Sequence, residues 1–281
     1  MYSEINLDLQ AFAKRVYDSI LYQSTFYNFL NMNYIGTLRN TGAPVIEVAK
    51  TDKLSVNVRQ TREIQTGLTP ALTTYSHTMV DLTQLNMDYS IRVPMMVTGS
   101  DITNAIQDAA DLEDSAIAKQ IDTFGYGKLA AASIDEFEWN PTTTEDYIKL
   151  LNNLRAKLFN KDVTGDYRIG LGANEYANYV SALTSVLKYE TLQGREGVDM
   201  GVIARAYGIS AFEINDNVLD GVIGYFFNPI AVVGDTFFSA FVQHNSPQGY
   251  PGYVVLEGTQ SFGAEVLRPE AIVRLVEEVS A

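Results

Sequence analysis

Residues 98–133 read TGSDITNAIQDAADLEDSAIAKQIDTFGYGKLAAAS. The stretch opens with helix-start chemistry, Ser100 being a good N-cap and Asp101 a negative charge where the helix dipole favours one. No proline interrupts it, and alanine recurs throughout. With each residue stepped about 100° around a helix axis, Leu112, Ala105, Ala116, Ala109, Ile102, Ile106, Phe124, Ile117, Ala110 and Ile121 share one half of the wheel. Asp101, Asp108, Asp122, Asp111 and Asp114 share the other. The pattern predicts one long amphipathic helix with an acidic outer face, fraying or bending at Gly125 and Gly127. A helix several times the usual length of roughly 11 residues is a structural spine. Glu113 and Gln120 fall in the middle of its apolar arc. Either their stems pack while the polar heads escape to a groove edge, or they meet a partner group across an interface; an unpaired buried carboxylate is costly.

Outward from the spine the periodicity changes. Between residues 42 and 94, VIEV (45–48), LSVNV (54–58) and MDYSIRV (87–93) alternate apolar and polar residues as half-buried strands do. The polar, threonine-rich segment Thr61–Thr78 lies between them, which describes long strands joined by an extended excursion. Such a hairpin carries little apolar surface for its own domain, and isolated two-stranded hairpins are marginal in water, so it is expected to lean on another subunit. The tyrosine- and phenylalanine-rich run from Leu9 to Leu30 reads as an N-terminal arm that packs on something else, a neighbouring subunit being one option.

Beyond the spine, Asp135–Pro141 (DEFEWNP) reads as an acidic joint. A helix is predicted over 145–159 with Thr144 as N-cap and Tyr147, Leu150, Leu151, Leu154 and Leu158 inward. A strand at 167–171, a helix at 174–187, a flexible Gly194–Gly201 loop and strand-like runs at 202–214, 222–242 and 253–258 follow. Residues 269–279 suit a strand or a short helix.

Composition narrows the function classes. The chain of 281 residues can build one large or two modest domains, and 46% hydrophobic with 11% aromatic content is that of a folded protein. A formal charge of −14 argues against a protein that grips nucleic-acid phosphates. Without cysteine there are no disulfides or thiolate metal sites. The N-terminus lacks the basic-then-apolar pattern of a secretory signal, and Asn228, Pro229, Gly234 and Asp235 interrupt the one membrane-like run, so no membrane partner is expected.

Catalytic signatures are scarce. The two histidines, His77 and His244, have no second ligand at metal spacing. Gly170 and Gly172 match part of a dinucleotide fingerprint, but Glu175 stands where the third glycine belongs. Asn215–Gly221 lacks the ligand alternation and closing glutamate of a calcium loop, so a plain turn is the better reading. No cofactor or catalytic residue is expected.

The order of parts is more informative than any motif. The arm, the polar hairpin, the spine helix, an α/β section with a Gly-rich loop, and the ending GYVVLEGTQSFGAEVLRPEAIVRL (252–275) together resemble the HK97-type major capsid proteins of tailed bacteriophages. The resemblance implies an α+β fold divided into an N-terminal arm (1–41), an E-loop with adjoining strands (42–94), a P domain with the spine helix (95–141), an A domain (142–250) and a C-terminal return to the P domain (251–281). It implies a non-enzymatic structural protein that self-assembles into hexamers and pentamers of an icosahedral shell. That shell would enclose double-stranded DNA without binding it specifically, in a virion assembled in the host cytoplasm. A portal, and separate scaffolding or decoration proteins, are the other implied partners. Arg59, Arg62, Glu63, Glu113, Gln120, Arg195 and Glu196 become the candidate intersubunit contacts. HK97 itself carries an N-terminal scaffolding segment; none comparable precedes the arm here, so scaffolding is expected to be separate or unnecessary. Lys50 and Lys53 lie in the hairpin, yet no asparagine or catalytic acid can be matched to them, and cross-linking is not expected. An encapsulin-type compartment shell shares the same organisation. A soluble carboxylate-based hydrolase would instead be a small oligomer with a deep pocket, and a tail-tube subunit would lack the long helix.

Overall fold

The computed structural model describes residues 15–16, 18–20, 22–31, 45–51, 75–94, 100–132, 134–186, 205–206, 208–245, 249 and 252–277. Besides helical residues between 15 and 23, three helices and eleven strands are delimited among them, the strands forming three sheets. Helix α1 (Ser100–Ala131) is that spine, 32 residues long and unbroken at either glycine. At Gly125 a Cβ would overlap the Phe26 ring, so the glycine admits a neighbour.

A six-stranded mixed sheet runs in the order β4 (Asp135–Glu138), β11 (Ile272–Val276), β8 (Gly224–Phe227), β5 (Tyr167–Gly172), β7 (Ile209–Ile214), β6 (Arg205–Ala206). Helices α2 (Thr144–Phe159) and α3 (Ala173–Val186) belong to this α/β part, α3 following directly on β5. The acidic joint expected at 135–141 is instead the edge strand β4, parallel to β11. Two of its acids are paired from the end of helix α2, the turn after it and the neighbouring strand: Lys161 Nζ lies 2.6 Å and Lys157 Nζ 3.7 Å from Asp135, and Arg274 Nη1 lies 3.5 Å from Glu136. The C-terminal segment resolves into a short 3₁₀ turn (Pro269–Ala271) and then β11, next to the sheet's edge strand. Arg274 on β11 also donates to the Leu129 and Ala130 carbonyls at 3.3 and 3.0 Å, placing a cation on the last carbonyls of α1.

The second sheet is β3 (Leu85–Pro94), β10 (Tyr253–Val266) and β9 (Val232–Asn245), all antiparallel, with a register shift at Thr259/Gln260. The run 222–242 therefore serves both sheets, β8 in one and β9 in the other, hinged at the Pro229–Ala231 turn. The third sheet pairs β1 (Val45–Thr51) with β2 (Tyr75–Asp81), from Val45 opposite Asp81 to Thr51 opposite Tyr75. LSVNV lies outside the described residues. β2 lies partly within a segment read as polar excursion, because its alternation is masked by serine, histidine and threonine. The base of this hairpin does have a core within its own chain: Ile46, Val48, Val80 and Leu82 are buried with Val233 of β9.

The N-terminal segment departs from expectation. The described residues between 15 and 31 fold onto their own chain, with Val16, Ile20, Phe26, Phe29 and Leu30 fully buried. Phe26–Phe29 is a 3₁₀ turn lying between α1 and both larger sheets. This second neighbour also corrects the helical wheel. Asp114 and Asp122, assigned to the solvent face, are 1% and 7% exposed, whereas Leu112 from the apolar arc is 75% exposed. Two elements pack on different sides of α1, so its buried surface wraps around the axis instead of forming one stripe. Toward β10, Phe124 meets Phe262 and Lys128 meets Glu265. Toward the N-terminal segment lie Asp122, Gly125 and Tyr126.

Candidate functional site

The open side of α1 forms a groove with β3. Leu112, Ala116, Ile117 and Gln120 come from successive turns of the helix, and Met87 and Asp88 from the strand, enclosing about 480 Å³. Helical spacing puts 112, 116 and 120 four apart, hence in one row. Strand alternation brings Met87, the register partner of Gln260, to the rim. Asp88 accepts a 3.4 Å hydrogen bond from the Thr259 hydroxyl, and the exposed Asp108 and Asp111 lie further along the helix. Met79, on the outer face of the β1–β2 hairpin, is a second large apolar side chain in solvent, 72% exposed.

Of the seven contact residues expected from the sequence, Gln120 is the one whose side chain is described. It is exposed at the groove rather than buried in an apolar arc, because the helix leaves that row uncovered. Glu113 lies on α1, its side chain outside the described set; Arg59, Arg62, Glu63, Arg195 and Glu196 also lie outside the described residues. Sequence reasoning missed Leu112 as an accessible side chain, since amphipathicity alone assigns it inward.

Elsewhere, the residues that looked chemically suggestive are engaged in structure. Cβ atoms at Gly170 and Gly224 would collide with Phe212 and Ile214 and with the Gly170 carbonyl, so these glycines allow close packing inside the sheet. Asp216 accepts from the Ala173 N–H at 2.8 Å and from Asn174 at 3.2 Å, occupying the start of α3. Glu175 accepts from Trp139 Nε1 at 2.8 Å, from the Tyr147 hydroxyl at 3.0 Å and from Asn178 at 3.3 Å, joining α2, α3 and the end of β4. Burial, reinforced by the hydrogen bond to Glu175, pushes the Tyr147 phenol well above its ordinary range, so it remains a donor. His244 lies on β9 with Nε2 3.8 Å from Glu257, both exposed, and His77 lies on β2 opposite Ala49. Among the described residues no group of three metal-ligating side chains occurs, and no helix is long and apolar enough to cross a membrane.

No protein-family model and no curated protein matches the chain. Solved structures do. A structure from Mycobacterium phage Che8 superposes with a TM-score of 0.59 at 16% identity, covering 92% of this chain and 93% of its own. The capsid of the cyanophage P-SCSP1u gives 0.58 at 12% identity, over 85% and 84%. A virus-like particle from Pyrococcus furiosus gives 0.51 at 12% identity, over 93% and 96%. The coverage is nearly end to end in each case, so the likeness concerns the whole architecture and not one module. The chain has the HK97-like α+β fold, the fold of phage capsid subunits.

Proposed function

We propose that this chain is the major capsid protein of a tailed phage, a non-enzymatic subunit that assembles with copies of itself into the hexamers and pentamers of an icosahedral shell around double-stranded DNA. The observation that carries the reading is the shared fold over nearly the full length of capsid subunits. The uncovered groove on the spine, with Leu112 in solvent, supports it, because exposed apolar clefts are characteristic of surfaces completed by a partner. Charge favours a second copy as that partner. Between residues 50 and 74 the chain carries Lys50, Lys53, Arg59 and Arg62 against Asp52 and Glu63, a basic excursion in a protein of net charge −14. Asp88 lines the groove it would meet and the exposed Asp108 lies one turn before Leu112, while Asp111 is already paired with Arg15 at 3.4 Å. In this reading Arg59, Arg62 and Glu63 contact the neighbour's Glu113 and Gln120 region, and Arg195 and Glu196 meet their equivalents around the capsomer axis. The division into arm, E-loop, P domain, A domain and C-terminal return is proposed with the boundaries given above. The acidic surface keeps packaged DNA from adhering, and a portal and separate scaffolding or decoration proteins complete the virion.

Electron microscopy of the purified protein tests this. Uniform closed particles tens of nanometres across are expected; a single-copy species at every concentration and ionic strength overturns the reading. Deleting residues 59–74 should leave a folded subunit that builds no shell, and reversing Arg59 and Arg62 to glutamate should make assembly sensitive to salt. An encapsulin-type compartment shell is the second reading, favoured by the likeness to the Pyrococcus furiosus particle. Neighbouring genes for a portal and terminase, or for a cargo enzyme, separate the two.

A further inference from the structure

The Asp122 carboxylate is 7% exposed and is reached by four donors from a segment almost one hundred residues away. One oxygen accepts from the Ser24 hydroxyl at 2.6 Å and the Phe26 N–H at 2.9 Å. The other accepts from the Thr25 N–H at 3.2 Å and the Thr25 hydroxyl at 2.9 Å, while the Tyr126 hydroxyl lies 3.0 Å from that same hydroxyl. The Thr25 side chain makes no cap of its own to the Phe26–Phe29 turn, so the spine supplies the missing acceptor. One turn further on, Gly125 provides the space that the Phe26 ring fills.

The captured segment then reaches both larger sheets. Phe26 and Tyr27 pack edge-on against Phe262 of β10, and the Tyr27 hydroxyl bonds Thr236 of β9. Phe29 stacks on Phe227 of β8 at 3.9 Å and meets Phe212 of β7 edge-on. Arg168 of β5 donates to the Asn28 carbonyl at 2.8 Å, and Asn31 donates to the Val232 carbonyl of β9 at 2.9 Å. Residues 24–31 thus touch the spine, the six-stranded sheet and the three-stranded sheet within eight residues. About two turns beyond Asp122, Arg274 ties the six-stranded sheet to the C-terminal end of α1.

We propose that residues 24–31 are a strap that sets the angle between the two sheets, with Asp122 as the anchor that holds it closed. The strap rests on the geometry above; its consequence for shell uniformity rests on the capsid reading. A subunit repeated at many positions of a closed shell needs a defined angle between its bodies, and a carboxylate with four short donors can be outcompeted only by a change that supplies or removes donors together.

Hydrogen–deuterium exchange on the full-length, unassembled chain tests the anchor. In Asp122→Ala, exchange over residues 24–31 should accelerate about tenfold or more, the scale expected for lost hydrogen bonds to a charged group, while α2 is unchanged. Asp122→Asn preserves shape but points an amide donor at the Thr25 N–H, and should give a smaller acceleration confined to the same residues; it serves if the alanine variant is insoluble. Lys119→Gln, exposed on the same helix and outside the groove, should leave exchange over residues 24–31 unchanged. Wild-type exchange at 24–31 in the Asp122 variants, or equal acceleration across α2 and β5, overturns the strap. Micrographs read the second half. Uniform wild-type particles alongside heterogeneous Asp122→Asn particles support it, and uniform particles from a variant with an open strap overturn it. If the wild type forms no particles at all, the capsid reading fails while the exchange result stands.

Discussion

Helices α1 and α2 invite comparison because both are amphipathic by sequence, yet only one obeys its own wheel. In α2 the inward row Tyr147, Leu151, Leu154 and Leu158 is buried as its spacing predicts. A capping box closes its start: Thr143 accepts from the Asp146 N–H, and the Asp146 carboxylate accepts from the Thr143 N–H at 2.9 Å. α1 buries two aspartates and exposes a leucine. The difference lies in the number of neighbours. A helix lying on one surface sorts its side chains into two halves, whereas a helix gripped from two sides and left open on a third cannot. A sequence wheel is thus a reliable guide only where a helix has a single partner.

The largest effect that sharpens this contrast is a matched pair of leucine truncations. Leu154→Ala, fully buried in α2, should cost about 2–5 kcal/mol in chemical denaturation. Leu112→Ala should change stability by under about 0.5 kcal/mol, as surface substitutions do, yet reduce particle yield; a loss comparable to Leu154→Ala would mean that Leu112 belongs to the subunit core. The two glycines of α1 form a second pair. Gly125→Ala forces the Phe26 ring aside and should destabilise by about 1–3 kcal/mol. In α2, Thr143→Ala should cost about 1 kcal/mol through its lost cap. Gly127→Ala, with open space around the new methyl, should raise the melting stability by about 0.5–1 kcal/mol.

The smallest effect concerns acid. Hydrogen bonds from the Thr143 and Thr142 side chains, with the Thr143 N–H, lower Asp146 from its ordinary 3.8 to about 2. A depressed folded-state value means that the cap's contribution is present above 3.8 and lost as pH falls toward 2. Circular dichroism melts over that window should therefore show wild type losing more stability than Thr143→Ala; parallel curves would remove Asp146 from the account. Asp135, lowered chiefly by its hydrogen bond from Lys161, acts in the same direction.

Much of the fold was legible because it rests on local chemistry. The spine, α2, the strand–helix pair β5–α3 and the first half of β10 all follow from periodicity and end residues, and the order of parts suggested the architecture that solved capsid subunits share. Thr144 was a one-residue miss, since two adjacent threonines compete for the N-cap and only the reach of Asp146 decides for Thr143. The strand at Asp135–Glu138 was hidden because its acids resemble a solvated run until Lys157, Lys161 and Arg274 arrive from elsewhere in the chain. Of the groove on the spine, sequence reasoning singled out Gln120 and missed Leu112.

The sequence by itself determined the spine, α2 and the β5–α3 pair, because their periodicity and end residues depend on neighbours a few residues apart. Only the tertiary structure decided that the arm's end returns to its own body, that Asp122 is an anchor instead of a surface charge, and that Leu112 is left in water. Each of those outcomes depends on groups roughly one hundred or more positions distant or on a face left uncovered, and no local pattern encodes which side of a helix will be met twice.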